Sequence, residues 1–279
     1  MTRPLVAVFV LSLFALPSLR AEGRLQQVRD EVNRPSDDSS DTDKKKDDSG
    51  SCSQTEDDDG IFGAALGYAL LAPFALPHIA LHDSFDDLRL FPRYPYAGDR
   101  HGYLPLVPDD SARKGLRDWS GSFSLEEGND FHGLNRVGGR LFLDTATRFG
   151  LQTRLDYFTE KLSCGCIDDL LLGSSELTFR FAQSETVRMY AGLGANFMDD
   201  HSRTRFGFNF TYGADLFPAR PLVLSLSLDA GNLGSAGVLR VHGTVGAIWK
   251  GLEVFAGYDY RLIGSTDLQG PLVGLRLWF

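Results

Sequence analysis

The chain has 279 residues, a net charge of −9 and 43% hydrophobic residues, with 20 Phe and 30 Gly. A hydrophobic content in this ordinary range does not separate soluble from membrane proteins. The acidic balance, with no basic stripe for phosphates, argues against a nucleic-acid partner.

Residues 1–21 have the features of a secretory signal peptide. Arg3 supplies the charged start, Leu5 to Leu16 form the apolar run, and Ala21 ends a passable cleavage site. The apolar run is short for crossing a bilayer. We therefore predict a cleaved signal, with an uncleaved anchor as the alternative.

Residues 22–60 are dominated by charge. They contain 13 acidic and 6 basic residues, so −7 of the net charge of −9 lies here. Such a segment has little apolar surface to bury. The sequence predicts a disordered acidic tether.

Residues 61–80 are nearly all apolar, with His78 the polar exception. Pro73 and Pro77 fall in the second half, where each removes a helical hydrogen bond. We predict a short apolar helix near Ile61 to Leu71, at the membrane surface or against a barrel. Because 20 apolar residues are enough to cross a bilayer, a spanning helix is the alternative.

Residues 81–116 are punctuated by proline and aromatic residues, as in the run from Phe91 to Tyr96. Proline fixes φ and removes a backbone donor, which favours extended chain over regular structure. The segment is predicted to be an extended strap rather than a packed core. It would plug a lumen or run along the periplasmic rim.

Residues 117–279 alternate apolar and polar side chains about ten times. The clearest run places Phe206, Phe208 and Phe210 on one face and Arg205 and Asn209 on the other. Apolar outside with polar inside is the pattern of a barrel in lipid. The prediction is an all-β, antiparallel, up-and-down transmembrane β-barrel of about ten strands, with eight to twelve possible. A soluble β-sandwich or barrel is the alternative.

The connections are predicted to differ in length at the two ends. Those after even-numbered strands are short, whereas Glu160 to Ile167 and Gly264 to Gly270, after odd-numbered strands, are longer and more polar. Short turns on one side and longer loops on the other are typical of outer-membrane barrels with both termini in the periplasm.

The last nine residues, Pro271 to Phe279, continue the alternation to a terminal aromatic residue, with outward positions Val273, Leu275, Leu277 and Phe279. This run resembles the signal that outer-membrane proteins present to the barrel assembly machinery. Residues 117–279 accordingly resemble the small outer-membrane β-barrel family of Gram-negative envelopes. The resemblance implies a barrel in outer-membrane lipid. We also expect a monomer, with its N-terminal region in the periplasm.

The inward positions of these strands are rich in arginine and carboxylate side chains. Opposite charges facing each other across a narrow bore are expected to pair and close it. The predicted lumen charge network comprises Arg136, Arg140, Asp144, Arg154, Asp156, Glu176, Arg180, Arg188, Arg205, Asp215, Asp229, Arg240, Glu253, Asp259, Arg261 and Arg276.

An occluded lumen indicates a structural protein of the envelope, without enzymatic activity, cofactor or metal. The excess of arginine leaves a narrow anion-preferring pore as the alternative. A hydrolase is the lesser alternative, because an Asp that orients a His can activate water. Candidate pairs are Asp199-Asp200-His201 or Asp168-Asp169 in extracellular loops, and inward His242 with Ser227 on the neighbouring strand.

Three cysteines, Cys52, Cys164 and Cys166, give no paired framework. Cys164 and Cys166 have one residue between them and are predicted to form a disulfide that stiffens a loop in an oxidising compartment. A soft-metal pair is the weaker interpretation, because no His lies nearby.

Overall fold

The computed structural model describes residues 23–35, 71–200 and 203–279. The predicted signal peptide, most of the predicted tether, the first half of the apolar segment and His201 lie outside these residues. Within the described residues, no helix combines the length and the apolar content needed to cross a bilayer.

The strands form one closed antiparallel barrel in which each strand pairs with its neighbours in the sequence and β10 pairs with β1. This confirms the predicted fold class and the count of ten. The strands are β1 (Trp119–Asn129), β2 (Leu134–Thr145), β3 (Phe149–Lys161), β4 (Ile167–Gln183), β5 (Val187–Asp199), β6 (Thr204–Leu216), β7 (Leu222–Leu233), β8 (Ala236–Trp249), β9 (Leu252–Ile263) and β10 (Thr266–Trp278).

The side chains alternate along the strands as the period of two requires. Outward apolar side chains are exposed, as shown by Leu193 at 58% and Val254 at 59%, whereas inward Arg180 and Glu253 are at most 1% exposed. A soluble protein would bury the first set and hydrate the second. The barrel therefore has an apolar outer belt around a polar interior.

The predicted difference in loop length between the two ends is wrong. After odd strands the connections are two to five residues long, and after even strands they are also two to five. Gly264 and Ser265 alone join β9 to β10, because the polar residues that follow continue the ladder as part of β10. We name the two ends by what fills them: the helix end carries the β1–β2 turn, and the strap end carries the start of β1 and the C-terminus.

A helix that the sequence reading missed closes the helix end. This helix, α1 (Arg24–Asn33), lies within the segment predicted to be a disordered tether, so that prediction is wrong over these ten residues. Leu25, Val28 and Val32 recur at helical spacing and are at most 2% exposed. They pack against an apolar ring of inward residues at the ends of the strands, namely Leu134, Phe158, Leu170, Leu172, Met198, Leu233, Ala236, Ile263 and Leu268.

Residues 71–80, here called α2, are helical, so the helix extends through Pro73 and Pro77 instead of ending near Leu71 as the sequence predicted. Pro77 cannot donate a hydrogen bond to the carbonyl of Pro73, four residues earlier. The hydroxyl of Tyr212 on β6 donates to that carbonyl instead, at 2.8 Å. Phe74 also packs edge-to-face on Phe181, which places α2 against the outside of the barrel.

The segment predicted to be a strap closes the other end. It contains two short 3₁₀ helices, Ala97–Asp99 and Asp110–Arg113, and is otherwise largely irregular. The prediction that this segment is not a packed core is wrong. Its aromatic plug, Phe91, Tyr96, Tyr103 and Leu104, is at most 2% exposed and packs on Phe217, Val223, Ile248 and Trp278.

The N-terminal elements therefore lie at opposite ends of the barrel. α1 contacts the helix end, whereas the strap contacts the strap end, where the N–H of Tyr103 donates to the carbonyl of Glu185. If the barrel spans a membrane, these elements face opposite sides. An entirely periplasmic N-terminal region does not fit this arrangement.

Candidate functional site

The barrel interior holds the predicted charge network, and the structure places all 16 of its residues inward. Fourteen of them are buried, while Arg140 and Arg205 are half-buried. The network divides into a central cluster, a cluster near the strap end and a set of hydrogen-bonded pairs beside them. The peripheral member is Arg205, whose Nε donates to Asn33 of α1 at 2.7 Å.

The central cluster is built around Asp156 on β3 and Asp259 on β9. Arg136 donates to Asp156 at 2.7 Å, Arg240 donates to Asp259 at 2.6 Å, and Arg261 donates to Asp156 across the bore. Asp156 therefore bonds guanidinium groups from two strands, and Asp259 bonds Arg240 and lies 3.6 Å from Arg136. Because removal of one partner would leave a buried charge unpaired, loss of any of these side chains should be strongly destabilising.

Glu126 also belongs to this cluster, although it is not among the residues of the predicted network. Its Oε1 accepts from Arg136 at 2.7 Å, and its Oε2 lies 3.7 Å from His242. The signal was present, because Ser120, Ser122 and Ser124 alternate inward along β1 and the next inward position is 126.

The second cluster lies near the strap end. Asp144 accepts from Arg180 and lies 3.4 Å from Arg188, which also donates to Asp215 at 2.7 Å. Arg188 stacks over the ring of Phe142, with its guanidinium carbon 4.5 Å from the ring centroid.

Further pairs and short chains lie beside the two clusters. Arg154 and the hydroxyl of Thr211 both donate to Asp229. Farther along, Arg276 and the indole of Trp278 both donate to Glu253. The hydrogen bonds run across the bore as well as along its wall, as expected for a filled interior.

One further polar chain lines the wall. Glu176 accepts from the side chain of Asn209 at 2.6 Å. Arg140 donates to Gln152 and to the hydroxyl of Tyr190, each at 2.6 Å. Neutral side chains thus supply hydrogen-bond partners to Glu176 and Arg140.

One cavity inside the barrel is small. It has a volume of about 30 Å³ and lies between the central cluster and the apolar ring, where Arg154, Arg240 and Arg261 reach it. This is room for a water-sized group rather than for a channel.

Neither Ser227 with His242 nor Asp168-Asp169 forms a catalytic arrangement, and the third candidate, Asp199-Asp200-His201, is not tested because His201 lies outside the described residues. Ser227 faces His242 in register, and His242 Nδ1 lies 3.2 Å from Asp259, but Ser227 Oγ makes no hydrogen bond in the described structure. All three side chains are at most 4% exposed, so a substrate has no path to them. Asp168, in the other candidate pair, instead binds Arg29 of α1 in a bidentate pair at 2.8 Å.

Polar contacts at the rim hold α1 in place. Glu160 of β3 accepts hydrogen bonds from the backbone N–H groups of Gly23, Arg24 and Leu25 at 3.0–3.1 Å, which caps the N-terminus of α1. Arg24 pairs with Asp130 at 3.0 Å. The hydrogen bond and charge of Asp168 raise the pKa of Arg29.

The predicted pairing of Cys164 with Cys166 is present as a disulfide in the β3–β4 turn. The two Cα atoms are 5.4 Å apart. The bridge lies beside Asp168 at the rim that binds α1, so it stiffens a turn that positions a partner of Arg29.

Comparisons with known proteins add little. No protein-family model matches the sequence, and no curated protein does. Among solved structures, the N-terminal β-barrel domain of OprF from Pseudomonas aeruginosa is 14% identical, covers 57% of this chain and 97% of that chain, and gives a TM-score of 0.30. This likeness carries no argument about function.

Proposed function

We propose that this protein is a sealed β-barrel of the outer membrane with a structural role in the envelope. The supporting observation is the inversion of burial: outward Leu, Val and Phe side chains are exposed while inward Arg, Asp and Glu side chains are buried. Exposure of such an apolar belt to water is unfavourable, whereas the hydrocarbon of a membrane is apolar as well. The terminal residues Val273, Leu275, Leu277 and Phe279 supply the outward face that the barrel assembly machinery would engage.

The filled interior favours a closed barrel over the anion-preferring pore. α1 covers one mouth and the aromatic plug covers the other. Between them, the arginine residues that suggested anion selectivity bond carboxylates rather than line a water column. Conduction would require both mouths to open and the central cluster to separate.

Placing the strap end on the periplasmic side sets the orientation. The C-terminus and the turns after even strands would then lie in the periplasm, together with the strap, and α1 would lie at the outer surface. An enzymatic role has no supporting geometry among the described residues, because the candidate Ser227 and His242 are sealed from solvent.

Two measurements test this proposal. Folded barrels resist detergent until boiled, so the purified protein should migrate faster on a gel before boiling than after. In a planar bilayer, the reconstituted protein should give no discrete current steps. Steps of uniform size would contradict the closed state, and identical mobility with and without boiling would contradict the barrel in lipid.

A further inference from the structure

Two consecutive parts of the N-terminal region are attached to opposite ends of the barrel. α1 packs into the helix end, whereas α2 and the strap lie at the strap end. The 35 residues between the described parts, 36–70, therefore connect one end of the barrel to the other. If the barrel lies in lipid, this connection takes the chain from one side of the membrane to the other.

Both ends of the connection lie beside the same strand, β6. At the end of α1, the side chain of Asn33 accepts from Arg205, the second residue of β6, at 2.7 Å. At the start of α2, the carbonyl of Pro73 accepts from the hydroxyl of Tyr212, which lies farther along β6 on its outer face. The shortest path between these two contacts follows β6.

The chain is fixed at the strap end before the strap begins. From β6, α2 crosses the strands to β4, where His78 Nδ1 lies 3.2 Å from the carbonyl of Phe181. Asp83, three residues after α2, then forms a bidentate pair with Arg148 in the β2–β3 turn, at 2.6 and 3.0 Å. α2 therefore runs around the outside of the barrel near the strap end, rather than along the strands.

The connection cannot run through the bore. α1 covers one mouth, the aromatic plug covers the other, and ion pairs such as that of Arg136 with Asp156 occupy the interior between them. The cavity near the central cluster has room only for a water-sized group. The chain must therefore pass outside the barrel wall, where lipid would surround it.

Only one part of the connection is suited to lipid. Residues 36–60 contain ten acidic residues and three lysine residues, and each charged side chain in hydrocarbon is costly. Residues 61–70 contain no charged residue, and the next acidic or basic residue after Asp59, apart from histidine, is Asp83. The charges therefore assign the passage through lipid to residues 61–70 and the start of α2.

These ten residues are long enough for the passage. On the outer face of β6, Phe206 lies six residues before Tyr212, which corresponds to about 20 Å along the strand. The distance along the membrane normal is shorter, because strands of such barrels tilt by about 40°. Ten residues reach about 15 Å as a helix and about 33 Å when extended. The face itself is apolar, since Phe206 and Phe208 are 67% and 53% exposed.

We infer that residues 61–70 carry the chain across the bilayer along the outer face of β6 and that α2 ends this crossing at the strap end. The acidic residues 36–60 then lie on the same side of the membrane as α1, and the strap lies on the other side. In the proposed orientation, the acidic segment is displayed at the outer surface of the cell. The inference rests on the proposed function, because it requires the barrel to lie in lipid.

The side of the acidic segment can be read from Cys52, because Cys164 and Cys166 are joined to each other. In phosphatidylcholine vesicles that retain an encapsulated dye, a sulfonated maleimide is added outside and quenched. A second sulfonated maleimide of different mass is then added with detergent. Intact-protein mass spectrometry shows whether two thiols of one molecule carry the same reagent, whatever the orientation of that molecule. The reference positions are His132→Cys at the helix end and Lys114→Cys at the strap end, both exposed.

Molecules with Cys52 and His132→Cys should carry the same reagent twice, and molecules with Cys52 and Lys114→Cys should carry one of each. The reverse result overturns the inference. The matched control combines His132→Cys and Lys114→Cys in a Cys52→Ser background and should carry one of each. If the control carries the same reagent twice, the barrel does not span the bilayer, and the proposed function fails together with the inference.

Nitroxide labels locate the crossing. On Ala65→Cys in a Cys52→Ser background, power-saturation EPR should show higher accessibility to oxygen than to a water-soluble nickel chelate, whereas a label on native Cys52 should show the reverse. The distance from Ala65→Cys to a second label should be shorter for Phe208→Cys on β6 than for Leu125→Cys on β1, at the opposite wall. Nickel accessibility at Ala65→Cys equal to that at Cys52, or the reverse order of distances, overturns the crossing along β6.

Discussion

The two ends of the barrel are closed by different chemistry. At the strap end, aromatic side chains close to β1 in the sequence pack into the bore, and Tyr103 contacts the rings of Phe217 and Trp278 at centroid distances of 5.3 and 5.1 Å. At the helix end, α1 inserts three aliphatic side chains and is held by rim ion pairs. The comparison predicts that the helix end opens more easily than the strap end, because an isolated ten-residue helix is marginally stable and depends on its docking contacts.

The largest expected effect is at the strap end. Tyr103→Ala removes a fully buried ring from the aromatic plug. We expect a loss of about 3–5 kcal/mol in the free energy of unfolding, measured with urea in lipid vesicles. Leu106→Ala, in the same strap but 47% exposed, is the control and should cost well under about 1 kcal/mol. Equal losses for the two variants would show that the plug is not packed as described.

At the helix end, Leu25→Ala should act on α1 rather than on the whole barrel. Loss of this buried side chain weakens docking by about 2–3 kcal/mol, so hydrogen exchange of the α1 amides should accelerate roughly 30-fold or more. Exposed Gln27→Ala is the control and should leave exchange nearly unchanged. If Leu25→Ala lowers barrel stability as much as Tyr103→Ala does, the two closures are equivalent and the contrast is lost.

Removing the cap of α1 should have a smaller effect. Glu160→Gln leaves one acceptor oxygen in place of a carboxylate that now bonds three backbone N–H groups. Docking of α1 should weaken by about 1–2 kcal/mol, again read from amide exchange. Glu185→Gln, at the strap end, bonds the strap through its backbone and should not alter exchange in α1.

The smallest effect at neutral pH comes from the phenol of Tyr103. Burial raises its pKa to about 12, against an ordinary value of 10. Because the folded state holds the proton more tightly, this contribution to stability is complete below pH 10 and is lost as pH rises through 12. Tyr103→Phe should match the wild type at pH 8 and show a shallower loss of stability between pH 10 and 12. If the stability of the two proteins fell equally between pH 10 and 12, the phenol of Tyr103 would be in contact with solvent rather than buried.

Much of the fold could be predicted, because side chains two residues apart face the same side of a strand but not of a helix. Phe206, Phe208 and Phe210 cannot all face outward in a helix, and the inward Arg205 and Asn209 complete the pattern. The charge network followed from the same alternation. The individual ion pairs could not be predicted from this alternation. Arg261, for example, donates to Asp156 across the bore, from a strand far away in the sequence.

The missed elements had weaker or competing signals. Leu25, Val28 and Val32 have helical spacing, yet the surrounding charges indicated a solvated segment, and the apolar ring that buries them is assembled only in the closed barrel. The helix through Pro73 and Pro77 depends on a hydroxyl from Tyr212, which no local pattern can reveal.

The central claim is that lipid covers the apolar belt. A nitroxide placed by Leu193→Cys in a Cys52→Ser background, in vesicles, tests it directly, because Leu193 points outward and is 58% exposed. Power-saturation EPR should show high accessibility to oxygen and low accessibility to a water-soluble nickel chelate. High accessibility to nickel, or a folded monomer in buffer without lipid or detergent, would contradict the account.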